Sequence, residues 1–325
     1  MKKLLLTVFM VLATCLLWPT VAMTDHGVKF FNFQKLMAFQ TRVNNNNVCY
    51  LVMLPTSMST DPKRFDMADS KLHIILQNKS EDSIGELKRD QFNLSNLGRH
   101  WNQMDTLFWF NLVIDNSGSI DDTNLRKVED ALTTFLNELP ASFQGQIIKF
   151  SGTVEKSGFT KDKQQLLARI KKPFDRGSTA LFDAIAMAVQ ELKQGGDHIP
   201  LKLSVVFTDG YENDSTQWVS DNKEAFKAHI ESETQNANIG LFIVGVTDGV
   251  DKTLLEYLAN HASFGMYKHT KDFGNLEESF KVISDLIKDT YIFTIPSCPP
   301  ETKRVFIVKK SKTGRFRTIQ DVELQ

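Results

Sequence analysis

Residues 107–114, LFWFNLVI, run without a break into Asp115-Asn116-Ser117-Gly118-Ser119, and the reading of that junction decides the fold. An apolar run of strand length, interrupted only by Asn111, indicates a strand covered on both faces. The polar residues that follow at once then sit at its carboxyl end. Next, residues 121–139 carry Leu125, Val128, Leu132, Phe135, Leu136 and Leu139 at three-and-four spacing, which predicts an amphipathic helix. The alternation continues with strand 146–150, helix 180–193, strand 203–207, helix 222–233, strand 239–246 and helix 252–260. Leu276, Phe280, Ile283 and Ile287 form one stripe of a closing helix. This pattern predicts an α/β fold: a doubly wound, mostly parallel sheet with helices on both faces, whose ligands bind beyond the carboxyl ends of the strands.

Outside that core the period changes. Residues 36–43 and 48–54 are strand-like around the polar run Asn44-Asn45-Asn46-Asn47, which suits a hairpin turn because Asn tolerates left-handed backbone. Residues 72–76 make another β-type run, followed by an expected turn at Gly85 and a short stretch through Phe92 and Leu94. Residues 291–295, 304–309 and 316–324 are strand-like in the tail, with a turn at 311–314. Two β-rich flanks, 23–104 and 291–325, therefore suggest a small β-sandwich assembled from both ends around an α/β domain at 105–290.

The sequence has 325 residues, 42% hydrophobic and 24% charged, enough to bury a substantial core and to exclude intrinsic disorder. Thirty-eight Lys and Arg balance 39 Asp and Glu, which argues against a nucleic-acid binder, whose affinity rests on excess positive charge facing phosphate. Lys2 and Lys3 precede an uncharged stretch from Leu4, and Thr20-Val21-Ala22 supplies small residues at a cleavage site. The pattern is that of a secretory signal peptide over residues 1–22. It implies export to the periplasm, the cell surface or the medium. Uncleaved, the uncharged run is long enough to span a bilayer; a loose lipoprotein-type site at Leu12-Ala13-Thr14-Cys15 is the third reading.

Three cysteines are too few for a disulfide scaffold or a four-cysteine zinc site. Beyond the leader only Cys49 and Cys298 remain, at opposite ends of the chain. In an exported protein they form either one disulfide closing a long loop, with a stabilisation of about 5 kcal/mol in the chain-entropy model, or two separate buried thiols.

Two more motifs lie at strand ends or open a helix. Thr208-Asp209-Gly210 follows strand 203–207, and Arg176-Gly177-Ser178-Thr179-Ala180-Leu181 leads into helix 180–193. If the strands are neighbours, the three loops meet at one rim. They bring Asp115, Asp209, Ser117, Ser119 and Thr179 together, with no thiol and no imidazole. An all-oxygen set suits a hard divalent cation, Mg²⁺ or Mn²⁺. Each piece alone is ordinary turn or cap chemistry; the conjunction of three loops carries the assignment.

From about residue 105 to 290 the sequence resembles the von Willebrand factor type A domain. The resemblance is carried by Leu112-Val113-Ile114-Asp115-Asn116-Ser117-Gly118-Ser119, Gly177-Ser178-Thr179-Ala180-Leu181 and Val205-Val206-Phe207-Thr208-Asp209-Gly210. It implies a metal-ion-dependent adhesion site on Asp115, Ser117, Ser119, Thr179 and Asp209. The serines would coordinate directly, and a carboxylate often acts through water. A protein partner's Asp or Glu would complete the coordination shell, making this a binding module rather than an enzyme. The family often has Gly-Gly before the threonine, where this chain has Gly177-Ser178. In integrin-type relatives, partner binding couples to movement of the last helix, here residues 276–288. The flanks resemble those of some exported bacterial proteins.

Other functions have weaker support. No Gly-x-x-x-x-Gly-Lys-Ser/Thr loop, Gly-x-Ser-x-Gly elbow, His-Glu-x-x-His helix or Gly-x-Gly-x-x-Gly turn occurs in the sequence. The seven histidines are scattered without metal-ligand spacing. A structural or assembly component of the cell envelope with a purely structural metal is the alternative, and a metal-dependent hydrolase the next. Tyr211, Glu212, Asn213 and Asp214 follow Asp209 and either line the site mouth or form a solvated loop. Asp248 and Asp251 have the character of turn and helix-cap residues.

Overall fold

The computed structural model describes residues 33–43, 46–55, 71–97, 108–140, 143–195, 199, 201–218, 222–311 and 313–324. The leader, with its cleavage, anchor and lipid alternatives, lies outside them. The first five strands are β1 (Phe33–Val43), β2 (Asn46–Pro55), β3 (Leu72–Gln77), β4 (Ser83–Leu87) and β5 (Asn93–Asn96). The central part runs β6 (Phe108–Asp115), α1 (Asp122–Glu138), β7 (Phe143–Phe150), β8 (Val154–Lys156), α2 (Lys163–Lys171), α3 (Leu181–Gln194) and β9 (Leu201–Thr208). It continues with α4 (Lys223–Asn236), β10 (Ile239–Val246), α5 (Lys252–His261), β11 (Phe264–Thr270) and α6 (Leu276–Lys288). Three strands close the chain: β12 (Tyr291–Ile295), β13 (Arg304–Lys310) and β14 (Phe316–Glu323).

The α/β part is a six-stranded sheet of order β11-β10-β9-β6-β7-β8, parallel except for β8, which runs antiparallel to β7. Every residue of β9 and β10 is buried, as expected for strands covered on both faces. On one face, α1, α2 and α6 contribute Leu132, Phe135, Leu166, Ile170, Phe280 and Ile283 to a core with Phe110, Leu112 and Val205. On the other, α3, α4 and α5 pack Ile185, Val189, Ile230 and Leu255 against Val113, Val206 and Ile243. The polar exception, Asn111, is fully buried; its Nδ2 donates to the Ala188 carbonyl of α3 at 2.8 Å. That bond ties strand to helix and offsets the desolvation of half the amide.

Strand β11 is held closely against β10. Leu241 and Gly265 are register partners, and a Cβ on Gly265 would lie 1.9 Å from the Leu241 carbonyl oxygen. A backbone atom cannot rotate aside. Gly265→Ala is therefore expected to destabilise by about 3 kcal/mol, the upper part of the overpacking range, read as a lower denaturant midpoint at unchanged slope.

The flanks form two four-stranded sheets, β1-β2-β12-β5 and β14-β13-β3-β4, each mixing strands from both ends of the chain. Leu51, Met53, Phe293 and Ile295 of the first face Ile74, Leu76, Val305 and Ile307 of the second across an apolar core, which makes a sandwich. The reverse face of β2 and β12 is also buried: Val48, Tyr50, Val52, Leu54 and Ile292 join the core beneath α1 and α6. Sandwich and α/β unit thus share a continuous interior.

Several local expectations are corrected. Gly85 lies inside β4, opposite Leu76. The reversal falls earlier, where Asn78 Oδ1 accepts from Ser80 N at 2.9 Å and Asp82 N at 3.0 Å, and Glu81 takes φ 64. Asn46 and Asn47 belong to β2, so the β1–β2 connection is shorter than the four-asparagine run. Strands β8 and β11 and helix α2 were not expected.

Candidate metal centre

Strand β6 carries its pairing through Asp115, which is its last residue, and β9 ends at Thr208. Both are parallel and adjacent, so Asp115 and Asp209 emerge side by side at the carboxyl edge of the sheet. The loop before α3 arrives at the same edge, where the Ala180 amide donates to Ser151 O at 2.7 Å just past β7. All five residues named from sequence, Asp115, Ser117, Ser119, Thr179 and Asp209, therefore meet at one rim.

Short hydrogen bonds hold them there. Ser117 N donates to Asp115 Oδ1 at 2.8 Å, and Thr208 Oγ1 donates to Asp115 Oδ2 at 2.6 Å. Ser117 Oγ and Ser119 Oγ are 3.0 Å apart, and Ser119 Oγ donates to Asp209 Oδ1 at 2.8 Å. The loops are also stitched through their backbones. Gly118 N donates to Gly177 O at 2.8 Å, and Asn213 N to Thr179 O at 3.0 Å. The Thr179 amide in turn donates to Asn213 Oδ1 at 2.8 Å. Gly210 sits directly against Thr179, since a Cβ there would lie 3.5 Å from Thr179 Oγ1. That hydroxyl has no hydrogen-bond partner among the described residues.

Burial dominates the electrostatics. Asp115 is completely enclosed, and desolvation pushes its carboxyl up to about 6, against the opposing hydrogen bonds from Ser117 and Thr208; the charge of Asp209 adds to the rise. Asp209 is raised for the same leading reason, with Ser119, Ser117 and the more distant Arg176 pulling the other way. Arg176 itself is engaged by Asp122 at 2.6 Å. Two acceptor-only carboxylates and three hydroxyls thus converge, and among the described residues no lysine or arginine is bonded to either acid. This donor set fits a hard divalent cation, which would compensate the buried negative charge that the protein leaves unmatched.

The remaining sequence candidates sort clearly. Asp251 caps α5 by accepting from Leu254 N at 3.0 Å, and Asp248 pairs with Lys252 at 2.6 Å; among the described residues neither is hydrogen-bonded to the rim cluster. Ser178, the departure from Gly-Gly, donates to Asp214 and so braces the loop. Thr208 was missed as a site residue, although its place next to Asp209 at a strand end was a signal. So was Asp183, whose Oδ1 and Oδ2 accept from Trp218 N at 2.9 Å and Thr216 N at 2.8 Å and anchor the loop beyond the site. Away from the rim, Cys49 and Cys298 are joined as a disulfide with Cα atoms 5.6 Å apart.

Residues 111–282 match the von Willebrand factor type A domain. No curated protein sequence matches the chain. Among solved structures, a von Willebrand factor type A protein from Catenulispora acidiphila superposes with a TM-score of 0.50 at 11% identity, covering 92% of this chain and 74% of that one. At that identity the likeness speaks for the fold alone. Proximal thread matrix protein 1 from the mussel byssus, solved with a zinc-occupied MIDAS motif, gives a TM-score of 0.45 at 19% identity, over 56% of this chain and 48% of that one. The type V pili tip protein Mfa5 from Porphyromonas gingivalis gives a TM-score of 0.45 at 12% identity, its vWF domain covered to 96% by 57% of this chain.

Proposed function

The chain belongs to the von Willebrand factor type A domain family, and from that premise we propose that it is an exported protein-binding module of the adhesion type, whose rim holds Mg²⁺ or Mn²⁺. The observation that carries the reading is the rim itself: Asp115, Ser117, Ser119, Thr179 and Asp209 on three loops locked together by bonds of 2.8–3.0 Å. A divalent cation held by these oxygens would supply an electrophilic centre for a carboxylate from outside. The chain's own part is to keep the oxygens in place. Thr208 and the Ser117 amide fix both oxygens of Asp115, while Ser119 orients Asp209. The ligand on the other side is then an Asp or Glu of a protein partner, and the flank sandwich carries the α/β unit of residues 105–290.

Nothing at the rim supports nucleophilic catalysis. Ser117 and Ser119 bond to each other and to Asp209, and no histidine contacts them among the described residues. Export rests on the basic, apolar and small-residue order of positions 1–22. Among the described residues no helix is long and apolar enough to cross a membrane.

The alternative is a structural or assembly role in the cell envelope, in which the metal only stiffens the rim loops. A capture experiment separates the two. The immobilised full chain is incubated with envelope extract in magnesium, with and without EDTA, beside Asp209→Ala. Metal-dependent recognition predicts a captured protein lost with EDTA and absent from Asp209→Ala. Capture that survives both treatments overturns it in favour of the structural role.

A further inference from the structure

Four residues follow the Thr208-Asp209-Gly210 motif, and the structure divides them sharply. Glu212 is spent inside the loop: Oε1 accepts from Asp214 N at 2.8 Å and Ser215 N at 2.7 Å, while Oε2 accepts from Phe182 N at 2.8 Å and Ser215 Oγ at 2.6 Å. Asn213 is bonded both ways to Thr179, and Asp214 accepts from Ser178. Each of the three thus already holds a loop bond through a side-chain oxygen, although Asn213 and Asp214 remain exposed. Tyr211 is the remainder. It is 55% exposed, the one exposed large hydrophobic side chain among the described residues of a protein with 24 Phe, 4 Trp and 5 Tyr. Its hydroxyl has no hydrogen-bond partner there either.

A single exposed aromatic is unremarkable on most surfaces. The place and the support make this one different. Tyr211 is two residues from Asp209, so the two Cα atoms lie at most about 7 Å apart. The loop beneath it is already ordered by Glu212, Asn213 and Asp183, so docking on it forfeits little backbone freedom. A tyrosine has only two side-chain torsions to fix and offers an apolar face with a polar tip, the reason tyrosines concentrate at binding hot spots.

We propose that Tyr211 is the specificity-determining contact of the rim: the partner segment places its Asp or Glu at the metal position and lays an adjacent apolar residue on the Tyr211 ring. This rests on the metal-capture reading above. The metal supplies affinity for any accessible carboxylate, and Tyr211 selects among carboxylates by what stands beside them.

Panning a random linear hexapeptide phage library on the full chain in magnesium buffer tests it, with Tyr211→Ser and Asp209→Ala panned in parallel. Wild type should enrich acidic peptides with an apolar residue next to the acid. Tyr211→Ser should still enrich acidic peptides but lose the apolar neighbour, while Asp209→Ala should enrich neither. A synthetic peptide of the winning sequence should bind Tyr211→Ser about tenfold more weakly than wild type, and Tyr211→Phe nearly as well as wild type. Because Tyr211 is exposed, the Tyr211→Ser protein should melt with wild type and keep its response to magnesium. The same neighbour preference in wild type and Tyr211→Ser overturns the role of Tyr211 and leaves metal capture standing. No acidic enrichment on wild type overturns metal capture, and this inference with it.

Discussion

The Cys49→Ala, Cys298→Ala double variant should melt about 6–9 °C below the wild type, and reducing agent should bring the wild type most of the way to it. The cysteines are 249 positions apart, so in the chain-entropy model the bridge stabilises by about 5 kcal/mol. If the sandwich unfolds first while the α/β unit stays intact, the freed loop is shorter. Dependence on length is logarithmic, so about 4 kcal/mol remains. Against total stabilities of about 5–15 kcal/mol this is a large share. Both cysteines are buried between the sheets, so some loss in the variant comes from packing alone. Reductant distinguishes the terms, because it breaks the bond and leaves the side chains. A wild type reduced in denaturant, refolded in reductant and melting unchanged would show that the bridge contributes nothing.

The bridge also bears on how the two parts are connected. Helix α6 passes through Asp289-Thr290 into β12, which is hydrogen-bonded on both edges, to β2 and β5. Beyond β12, Cys298 N donates to Asn47 O at 2.8 Å and the disulfide fastens the same corner to β2. The strand continuing the last helix is thus clamped at its far end.

What the sequence revealed follows the strength of its patterns. Strands β6, β9 and β10 were legible because burial on both faces demands unbroken apolar runs, and α1 and α6 because one buried stripe demands three-and-four spacing. Strand β8 is three residues, Val-Glu-Lys, too short for any period. Strand β11 is half-exposed along its middle and mixes Tyr, Lys and His. Helix α2 did carry a signal that went unread: Asp162 accepts from Gln164 N and Gln165 N as an N-cap, ahead of buried Leu166 and Ile170. At the rim, the five oxygen-bearing residues were legible because each stands at a strand end or helix entrance. The bonds that lock them were not, since Thr208 to Asp115 and Asn213 to Thr179 depend on which strands are neighbours. Nor could sequence tell that Glu212 and Asp214 bond back to their own loops while Tyr211 stands exposed.

Magnesium should raise the melting temperature of the wild type, and neither Asp115→Asn nor Asp209→Ala should show that rise. A ligand that binds only the folded state at a hundred times its dissociation constant stabilises by about 2.7 kcal/mol, which is a shift of about 4 °C in a chain of this length. The two variants should differ when metal is absent. Asp115 is a fully buried carboxylate with no basic side chain bonded to it among the described residues, so the metal-free fold carries an uncompensated charge. Asn keeps the shape and removes the charge. Its side-chain oxygen can still accept from Ser117 N, and its NH₂ can donate to the Thr208 hydroxyl where the carboxylate accepted from it. In EDTA, Asp115→Asn should therefore melt no lower than wild type, and above it if the charge dominates, while Asp209→Ala falls below because Ser119 loses its acceptor. A substitution that stabilises the empty protein while abolishing its response to metal separates a binding residue from a structural one. Equal responses of all three proteins to magnesium and to EDTA would remove the rim as the metal site.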